Sequence, residues 1–373
     1  MMRDFITIGS ATQDIFIESD LGKILDIRAL SGKDSFLCFD YGAKIDIDKL
    51  AFDIGGGAIN TCVSFAKLGF KTAAIVKMGN DLNSKAILER LKERNVDASL
   101  LTQTNDYKTG FSIILNSFEG DRTVLAHRGA NSHINIDEIP WEDIKNSKWL
   151  YIAPLSSDSN LVLEKLVDFA DKHNVNLAIN PGKTQIKKGI DDLQKIMPRA
   201  KLLIMNTSEA SEITKIPEIM QHMESPHLDL DNSEEEDPYE NMFNQPWLSS
   251  IYSMLLKLKT IGTKLVVITN GSKGIVAFDG NEFYLAPPFP VKVVSTLGAG
   301  DAFASTLTAG ILKYNWDIEK ALTLASINAA AIVQNFGAQN GLKTFEELEC
   351  ILNKKTKYRV IKKTEAEIRQ LVS

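Results

Sequence analysis

The sequence predicts a doubly wound α/β fold: a mainly parallel sheet with helices on both faces, plus a small additional β-sheet. Three observations carry that expectation. Most β-rich runs are consecutive apolar residues with little alternation, the mark of strands covered on both sides. They alternate with helical segments, and repeated β-then-α order favours parallel strands joined by crossover helices. Two stretches break this rhythm with several short β-like runs and no clear helix, enough to supply a second sheet.

Along the chain, the core strand candidates are residues 5–8, 72–76, 149–152, 176–179, 202–205 and 264–269, with helical segments at 60–68, 84–94, 161–173 and 318–333. The first stretch that breaks the rhythm, residues 12–54, holds short runs at 15–18, 36–39, 44–47 and 51–54. The second, residues 109–128, holds runs at 111–115 and 123–126 joined by the turn Glu119-Gly120-Asp121. Both are read as lid elements lying over one end of a single domain that takes in residues 1–373. Residues 217–248 carry nine acidic residues and no Lys or Arg, and they are long for a loop in a compact domain. They read as a solvated acidic insertion.

Composition narrows the class. The chain has 373 residues, 44% hydrophobic and 24% charged, which is ordinary for a folded globular protein. Its three cysteines (Cys38, Cys62 and Cys350) are far apart, which excludes a disulfide framework and a zinc ribbon and fits a reducing compartment. No apolar run approaches the ~18 residues of a membrane span. Arg3 and Asp4 directly precede the first apolar run, so no signal peptide is read and a cytoplasmic location is expected. Net charge is -6, but removing the nine acidic residues of 217–248 leaves 42 basic against 39 acidic side chains, or +3. No basic stripe suggests nucleic acid.

Residues 291–312 are the most informative. A β-rich run leads into Ser295-Thr296-Leu297-Gly298-Ala299-Gly300-Asp301 and then a helical stretch from Ala302. Small residues at a helix start let backbone N–H groups approach an anion, and the helix dipole adds positive potential there. An aspartate in such a hole would repel a phosphate at rest. It makes sense if the carboxylate takes a proton from a hydroxyl while the amides stabilise the phosphoryl group under attack. A plain helix-start acid is the alternative reading. The run Asp53-Ile54-Gly55-Gly56-Gly57-Ala58-Ile59-Asn60 places glycines before a helix, allowing close backbone approach to a polyol beside an amide that donates and accepts. The runs ending in Asn206-Thr207-Ser208-Glu209 and Asn270-Gly271-Ser272-Lys273-Gly274 are strand ends followed by small or polar residues, where α/β sheets bind ligands. Two decoys fail: Gly182-Lys183-Thr184 lacks the earlier glycine of a P-loop, because position 177 is Leu, and Gly55-x-Gly57 lacks the third glycine of a dinucleotide fingerprint.

Taken together and in order, these motifs resemble the ribokinase-like, or PfkB, carbohydrate and nucleoside kinases. Residues 55–69 resemble the family's glycine segment and helix ending in Leu-Gly, and residues 76–97 its G-x-D segment. Asn206 and Glu209 match N-x-x-E, Thr269-Asn270-Gly271 the nucleotide-phosphate segment, residues 295–301 the D-T-x-G-A-G-D signature, and Gly337-Ala338 the small-residue turn near the nucleotide. The resemblance implies ATP and Mg²⁺, with Asp301 as catalytic base and Gly298, Ala299 and Gly300 as anion hole. It implies Thr269, Gly271 and Gly274 on the ATP phosphates, Asn206 with them, and Glu209 ordering Mg²⁺ through water; a helix cap with a first-turn acid is the other reading of Asn206 and Glu209. Asp14, Gly56, Gly57 and Asn60 would bind substrate, together with Asp301, and Asn328 would pass the adenine. Dimerisation through the lid is permitted by its exposed strand edges.

Departures sharpen the reading. Ser295 replaces the aspartate that ligates a monovalent cation in cation-activated members, which argues against K⁺ dependence. Ser84 replaces a common glycine after G-x-D, and Ala153-Pro154-Leu155 stands where ribokinases carry a ribose-binding glutamate. The expectation is therefore an ATP-dependent kinase for a hydroxyl of a small sugar or sugar-like substrate. A nucleoside kinase with base-stacking aromatics among Phe16, Phe36, Phe39 and Tyr41 is the alternative, and a non-catalytic nucleotide or sugar binder stands below it.

Overall fold

In the computed structural model, residues 2–18, 22–29, 32–116, 122–219, 245–354 and 357–372 are described. Sixteen strands and twelve α-helices follow in chain order. The strands are β1 (Arg3–Ile8), β2 (Thr12–Glu18), β3 (Lys23–Ala29), β4 (Gly32–Cys38), β5 (Lys49–Gly55), β6 (Thr72–Gly79), β7 (Leu101–Thr104), β8 (Gly110–Asn116), β9 (Arg122–His127), β10 (Ser147–Ile152), β11 (Asn176–Ile179), β12 (Leu202–Asn206), β13 (Leu265–Thr269), β14 (Ile275–Phe278), β15 (Glu282–Ala286) and β16 (Ile361–Thr364). The helices are α1 (Gly57–Lys67), α2 (Leu82–Glu93), α3 (Trp141–Lys145), α4 (Leu163–Lys172), α5 (Lys183–Lys188), α6 (Ile190–Ile196), α7 (Thr207–Thr214), α8 (Pro246–Lys259), α9 (Ala299–Lys313), α10 (Ile318–Val333), α11 (Phe345–Lys354) and α12 (Glu365–Val372).

The main sheet runs β16-β15-β14-β13-β12-β11-β10-β1-β6-β7. Its seven strands from β7 to β13 are parallel, and β14, β15 and β16 add an antiparallel edge. The unalternating apolar runs have the cause the sequence suggested, because successive residues enter different cores. Along β10, Leu150 and Ile152 pack with α4 and α8, whereas Trp149 and Tyr151 pack with α1, α9 and α10. Phe5 of β1 stacks on Phe65 of α1 at 4.0 Å between centroids.

A four-stranded sheet, β5-β2-β8-β9, is separate, and β3 and β4 form a two-stranded hairpin. Three sequence expectations are corrected. Residues 44–47 form no strand. Residues 291–294, read as β-rich, form none either. Pro287, Pro288 and Pro290 precede them, and the Val294 and Ser295 amides donate to Val333 O at the end of α10 instead of joining a sheet edge. The acidic segment was drawn as far as residue 248, yet α8 starts at Pro246 and buries Trp247 and Leu248. Residues 220–244 of that segment, and the turn Glu119-Gly120-Asp121, lie outside the described residues.

Topology fixes where a ligand can sit. From β1 the chain moves outward one way through β6 and β7, while β10 to β13 run outward the other way. The switch point is therefore between β1 and β10, and crevices in such sheets open beyond the carboxyl ends of those strands. A Cβ on Gly9, just past β1, would lie 2.9 Å from Ala153 Cβ, just past β10. The two strand ends thus converge closely. Helices α9 and α10 back this region through an equally tight crossing, since a Cβ on Gly310 would lie 2.9 Å from Ala321 Cβ and 3.1 Å from its Cα. Gly310→Val is expected to cost about 1–3 kcal/mol by overpacking. Urea denaturation should show a lower midpoint at unchanged slope.

Candidate active site

Four segments meet beyond the switch point: the end of β1, the junction of β5 with α1, the start of α9, and the turn at 337–340. Glycine is required at the junction. Gly56 has φ +93°, and a Cβ there would lie 2.5 Å from Ser10 O. The Gly57 amide donates to Ser10 Oγ at 3.0 Å, and a Cβ on Gly57 would lie 3.9 Å from Asp301 Oδ1. The β5–α1 junction therefore lies directly against the start of α9. Gly298, the N-cap of α9, has φ +81°, and any Cβ would lie 2.5 Å from Ala338 Cα and O. The first-turn amides of a helix have no partner four residues back. Around Gly300 a Cβ would meet nothing within 4 Å, so that side of the helix start is open.

Asp301 stands in this first turn. The Asn60 side-chain amide donates to its Oδ2 at 2.8 Å. Burial pushes the Asp301 carboxyl up to about 6; the Asn60 hydrogen bond opposes the shift, and the nearby Asp14 adds to it. A helix N-terminus favours a carboxylate, but here desolvation outweighs it. The group is charged at neutral pH yet close enough to its midpoint to accept a proton.

Asp14 is buried on β2, directly opposite Asp53 on β5. Like charges facing across strands are unfavourable. Burial first, and then Asp53, raise the Asp14 carboxyl, while the Thr12 and Ser112 hydroxyls hold it down. Asp53 has its own compensation: Asn340 Nδ2 donates to it at 3.1 Å, and Arg90 of α2 and Arg94, which caps that helix, lie at 3.5 and 3.9 Å. Gly55 is needed here, since a Cβ would lie 1.9 Å from Asp14 Oδ2.

Two strands along, Asn206 and Thr269 are register partners at the carboxyl ends of β12 and β13, so they share the edge with the switch point. Asn206 and Glu209 form a reciprocal capping box on α7. The Glu209 amide donates to Asn206 Oδ1 at 2.8 Å, and the Asn206 amide donates to Glu209 Oε2 at 2.9 Å. The cap reading of this pair is thus realised, with one Glu209 oxygen spent on it. Burial raises the Glu209 carboxyl, and Lys183 and the Asn206 amide oppose the shift. Burial raises the Tyr151 phenol, and the charges of Asp301 and Glu209 add to the effect.

Mg²⁺ is the metal that ATP-dependent chemistry implies. Among the described residues, no group of three or more His, Cys, Asp and Glu could hold a metal. A single carboxylate such as Glu209 is compatible with Mg²⁺, which keeps waters and is held largely by substrate phosphates. A monovalent cation fits less well: Ser295 offers a buried neutral hydroxyl, which accepts from the Leu297 amide at 3.4 Å.

Two of the residues expected at ATP are engaged within the protein. Asn328 is fully buried; its Nδ2 donates to Thr306 Oγ1 at 2.8 Å and its Oδ1 accepts from the Lys343 amide at 3.0 Å. It ties α10 to α9 and to the turn before α11. Gly274 is buried, its amide directed to Gly271 O and its carbonyl accepting from Asn270 at 2.8 Å. Its φ of +103° serves the β13–β14 turn. Gly271 remains exposed at φ +52°. Ser84, a departure from the usual glycine, closes a capping box with Asp81 on α2.

Sequence reasoning missed Gln339, Ser10 and Lys183. Gln339 directly follows the Gly337-Ala338 pair, and its amide donates to Asn60 Oδ1 at 2.9 Å and to Ile54 O at 3.1 Å. Lys183 was set aside with the failed P-loop, although its charge bears on Glu209.

A crevice at a switch point, an anion-binding helix start and a carboxylate facing it define a phosphotransferase acting on an alcohol group. The family model described as "pfkB family carbohydrate kinase" matches residues 26–344, and the chain belongs to that family. It is accordingly an ATP-dependent kinase. Over 318 residues it is 27% identical to a 5-dehydro-2-deoxygluconokinase of Clostridium botulinum, covering 82% of this chain and 86% of that one. It is 26% identical over 306 residues to a bifunctional ribokinase/ribose-5-phosphate isomerase A of Fructilactobacillus sanfranciscensis, covering 80% of this chain but only 49% of that protein. Among solved structures, Arabidopsis thaliana ribokinase complexed with ribose and ATP shares the ribokinase-like fold at a TM-score of 0.71 and 21% identity, covering 94% of this chain and 99% of that one. Among the described residues, no helix is long and apolar enough to cross a membrane.

Holding Asp301 charged in this setting costs stability. Its folded pKa, about 6, lies above the ordinary 3.8. The protonated form therefore stabilises the fold fully below about pH 4, and that contribution is lost as pH rises through 6. The shift corresponds to at most about 3 kcal/mol. Asp301→Asn should raise the melting temperature at pH 7.5, with the gain shrinking toward pH 4; calorimetry across that range measures it.

Proposed function

We propose that this kinase phosphorylates a hydroxyl of a small sugar or sugar-like polyol, with Asp301 as general base. One observation carries the reading. Asp301 faces the crevice from the open start of α9, with its carboxyl raised to about 6 and Asn60 donating to it. A carboxylate in that place is useful chiefly when an acceptor proton must leave as a phosphoryl group arrives.

In the proposed reaction the acceptor lies between Asp14, Gly56, Gly57 and Asn60 on one side and Asp301 on the other. Asp301 takes the hydroxyl proton while the acceptor oxygen attacks the γ-phosphorus and the bond to ADP breaks. The Gly298, Ala299 and Gly300 amides face the charge on the transferring group. Thr269 and Gly271 line the path of the ATP phosphates, with the exposed Asn206 beside them. Mg²⁺, held through water by Glu209, would screen the phosphate charge. The four-stranded sheet serves as the lid that limits water access to the crevice.

Of the four aromatics the nucleoside alternative relies on, Phe16 is buried within the small sheet, whereas Phe36, Phe39 and Tyr41 are exposed.

Asp301→Asn is expected to lower kcat by ~10³-fold or more while calorimetry still detects ATP binding. Wild-type kcat/KM should fall about tenfold per pH unit below a midpoint near 6. An ADP-release assay across sugars, sugar phosphates and nucleosides, with Asp301→Asn as blank, identifies the acceptor class. Activity confined to nucleosides would overturn the sugar reading, and retained turnover in the variant would overturn the base. Replacing K⁺ by choline should leave the rate unchanged, given Ser295.

A further inference from the structure

The amide of Asn60 has two faces, and only one helps a carboxylate. Its N–H side, turned to Asp301, favours the charged form; its carbonyl, turned the same way, would accept a proton from the acid and favour the neutral form. Something must choose between them. Gln339 is 2% exposed and sits on the other side of Asn60. Its Nε2 donates to Asn60 Oδ1 at 2.9 Å and to Ile54 O at 3.1 Å. The Ile54 carbonyl can only accept, so the Gln339 amide must present its NH₂ there. The Asn60 oxygen must then face Gln339, and its NH₂ must face Asp301.

The same turn is wedged between the small sheet and the start of α9. Ala338 abuts Gly298, as the 2.5 Å clearance for a Cβ shows. Asn340 donates to Asp53 Oδ2 at 3.1 Å and to Phe336 O at 2.8 Å. Asp53 and Ile54 are the last residues of β5 before Gly55. The base, the anion-binding turn and the root of a small-sheet strand are thus joined through residues 337–340.

We propose that Gln339 is a positioning residue: it fixes the Asn60 amide with its N–H toward Asp301 and anchors that orientation to β5 through Ile54 O. The proposal rests on Asp301 being the base. Its cost is visible in the Gln339 Oε1, which is buried without a hydrogen-bond partner among the described residues. The other titratable groups bearing on Asp301 are Asp14 from β2 and Tyr151 from β10, with Asp53 acting on Asp14 and Glu209 on Tyr151. None of these changes when Gln339 is replaced.

The test needs no knowledge of the acceptor. In the full-length protein labelled with ¹³C at aspartate carboxyls, the Asp301 resonance is assigned by its loss in Asp301→Asn and titrated between pH 4 and 9. In Gln339→Leu the midpoint should rise by about one pH unit, as Asn60 is freed to turn its carbonyl inward. Gln339→Glu cannot donate to Asn60 Oδ1 when ionised, and it should move the midpoint in the same direction. Asn328→Leu, which empties another buried amide site, should lower the melting temperature and leave the midpoint in place. An unmoved Asp301 midpoint in folded Gln339→Leu or Gln339→Glu would overturn the positioning role. If Asp301→Asn retained turnover, the base and the positioning role would both fall, whereas an inactive Asp301→Asn with an unmoved midpoint would overturn the positioning role alone.

Discussion

The constraint on which this structure depends is a charge kept where burial disfavours it. Asp301 sits where burial raises its carboxyl, and Asp14 adds to the effect. The opposing contribution is small and local: the helix start and one amide hydrogen bond from Asn60. Everything around the carboxylate serves to bring those two donors close. The glycines at 56 and 57 let the β5–α1 junction approach α9, and Gly298 lets α9 begin against the 337–340 turn. A single Cβ at Gly56 or Gly298 would push these segments apart before any catalytic group was touched.

The second carboxylate pair obeys the same logic with a different outcome. Asp14 and Asp53 face each other across β2 and β5. Asp53 is supplied with Arg90, Arg94 and Asn340, so its charge is offset from the side facing away from the crevice. Asp14 takes hydrogen bonds from the Thr12 and Ser112 hydroxyls, and no cation is among the influences on it. Of two neighbouring acids, one is tied to α2 and the 337–340 turn, and the other is held within the small sheet.

The parallel core was readable because strands covered on both faces leave a direct mark: runs such as 149–152 are apolar at every position, and each residue was later found in one core or the other. Helix 318–333 was bounded correctly at both ends because Asp317 caps its start by accepting from the Lys320 amide. The antiparallel edge β14–β16 was not seen, since its strands are short and their pairing depends on the turn at Gly274. Val291–Val294 misled because β-branched residues also suit extended chain that bonds to a helix end. Within the site, Asp301, Asn60 and the glycines were visible because their chemistry or their lack of a side chain is local. The burial of Asn328 and its partners Thr306 and Lys343 were not legible, because they are properties of packing. Gln339 was passed over because its two acceptors lie about 280 residues away in the chain, a juxtaposition that spacing cannot reveal.

The motifs state the reaction more firmly than the acceptor for a structural reason. The groups proposed to act on phosphate and proton sit on helix starts and strand ends of the main sheet, where backbone geometry fixes them. The groups that would tell one polyol from another project from the small sheet, whose strands keep Leu50, Phe52 and Leu125 about half exposed. Just before Gly55, by contrast, β5 is held at its root by Asp53 and Ile54 through the 337–340 turn. The sheet is thus fixed at the end nearest the base and solvated at the other. Under the roles proposed for Asp14 and Asp301, an acceptor that engages both is read at the fixed end, and contacts at the solvated end are left to distinguish one acceptor from another.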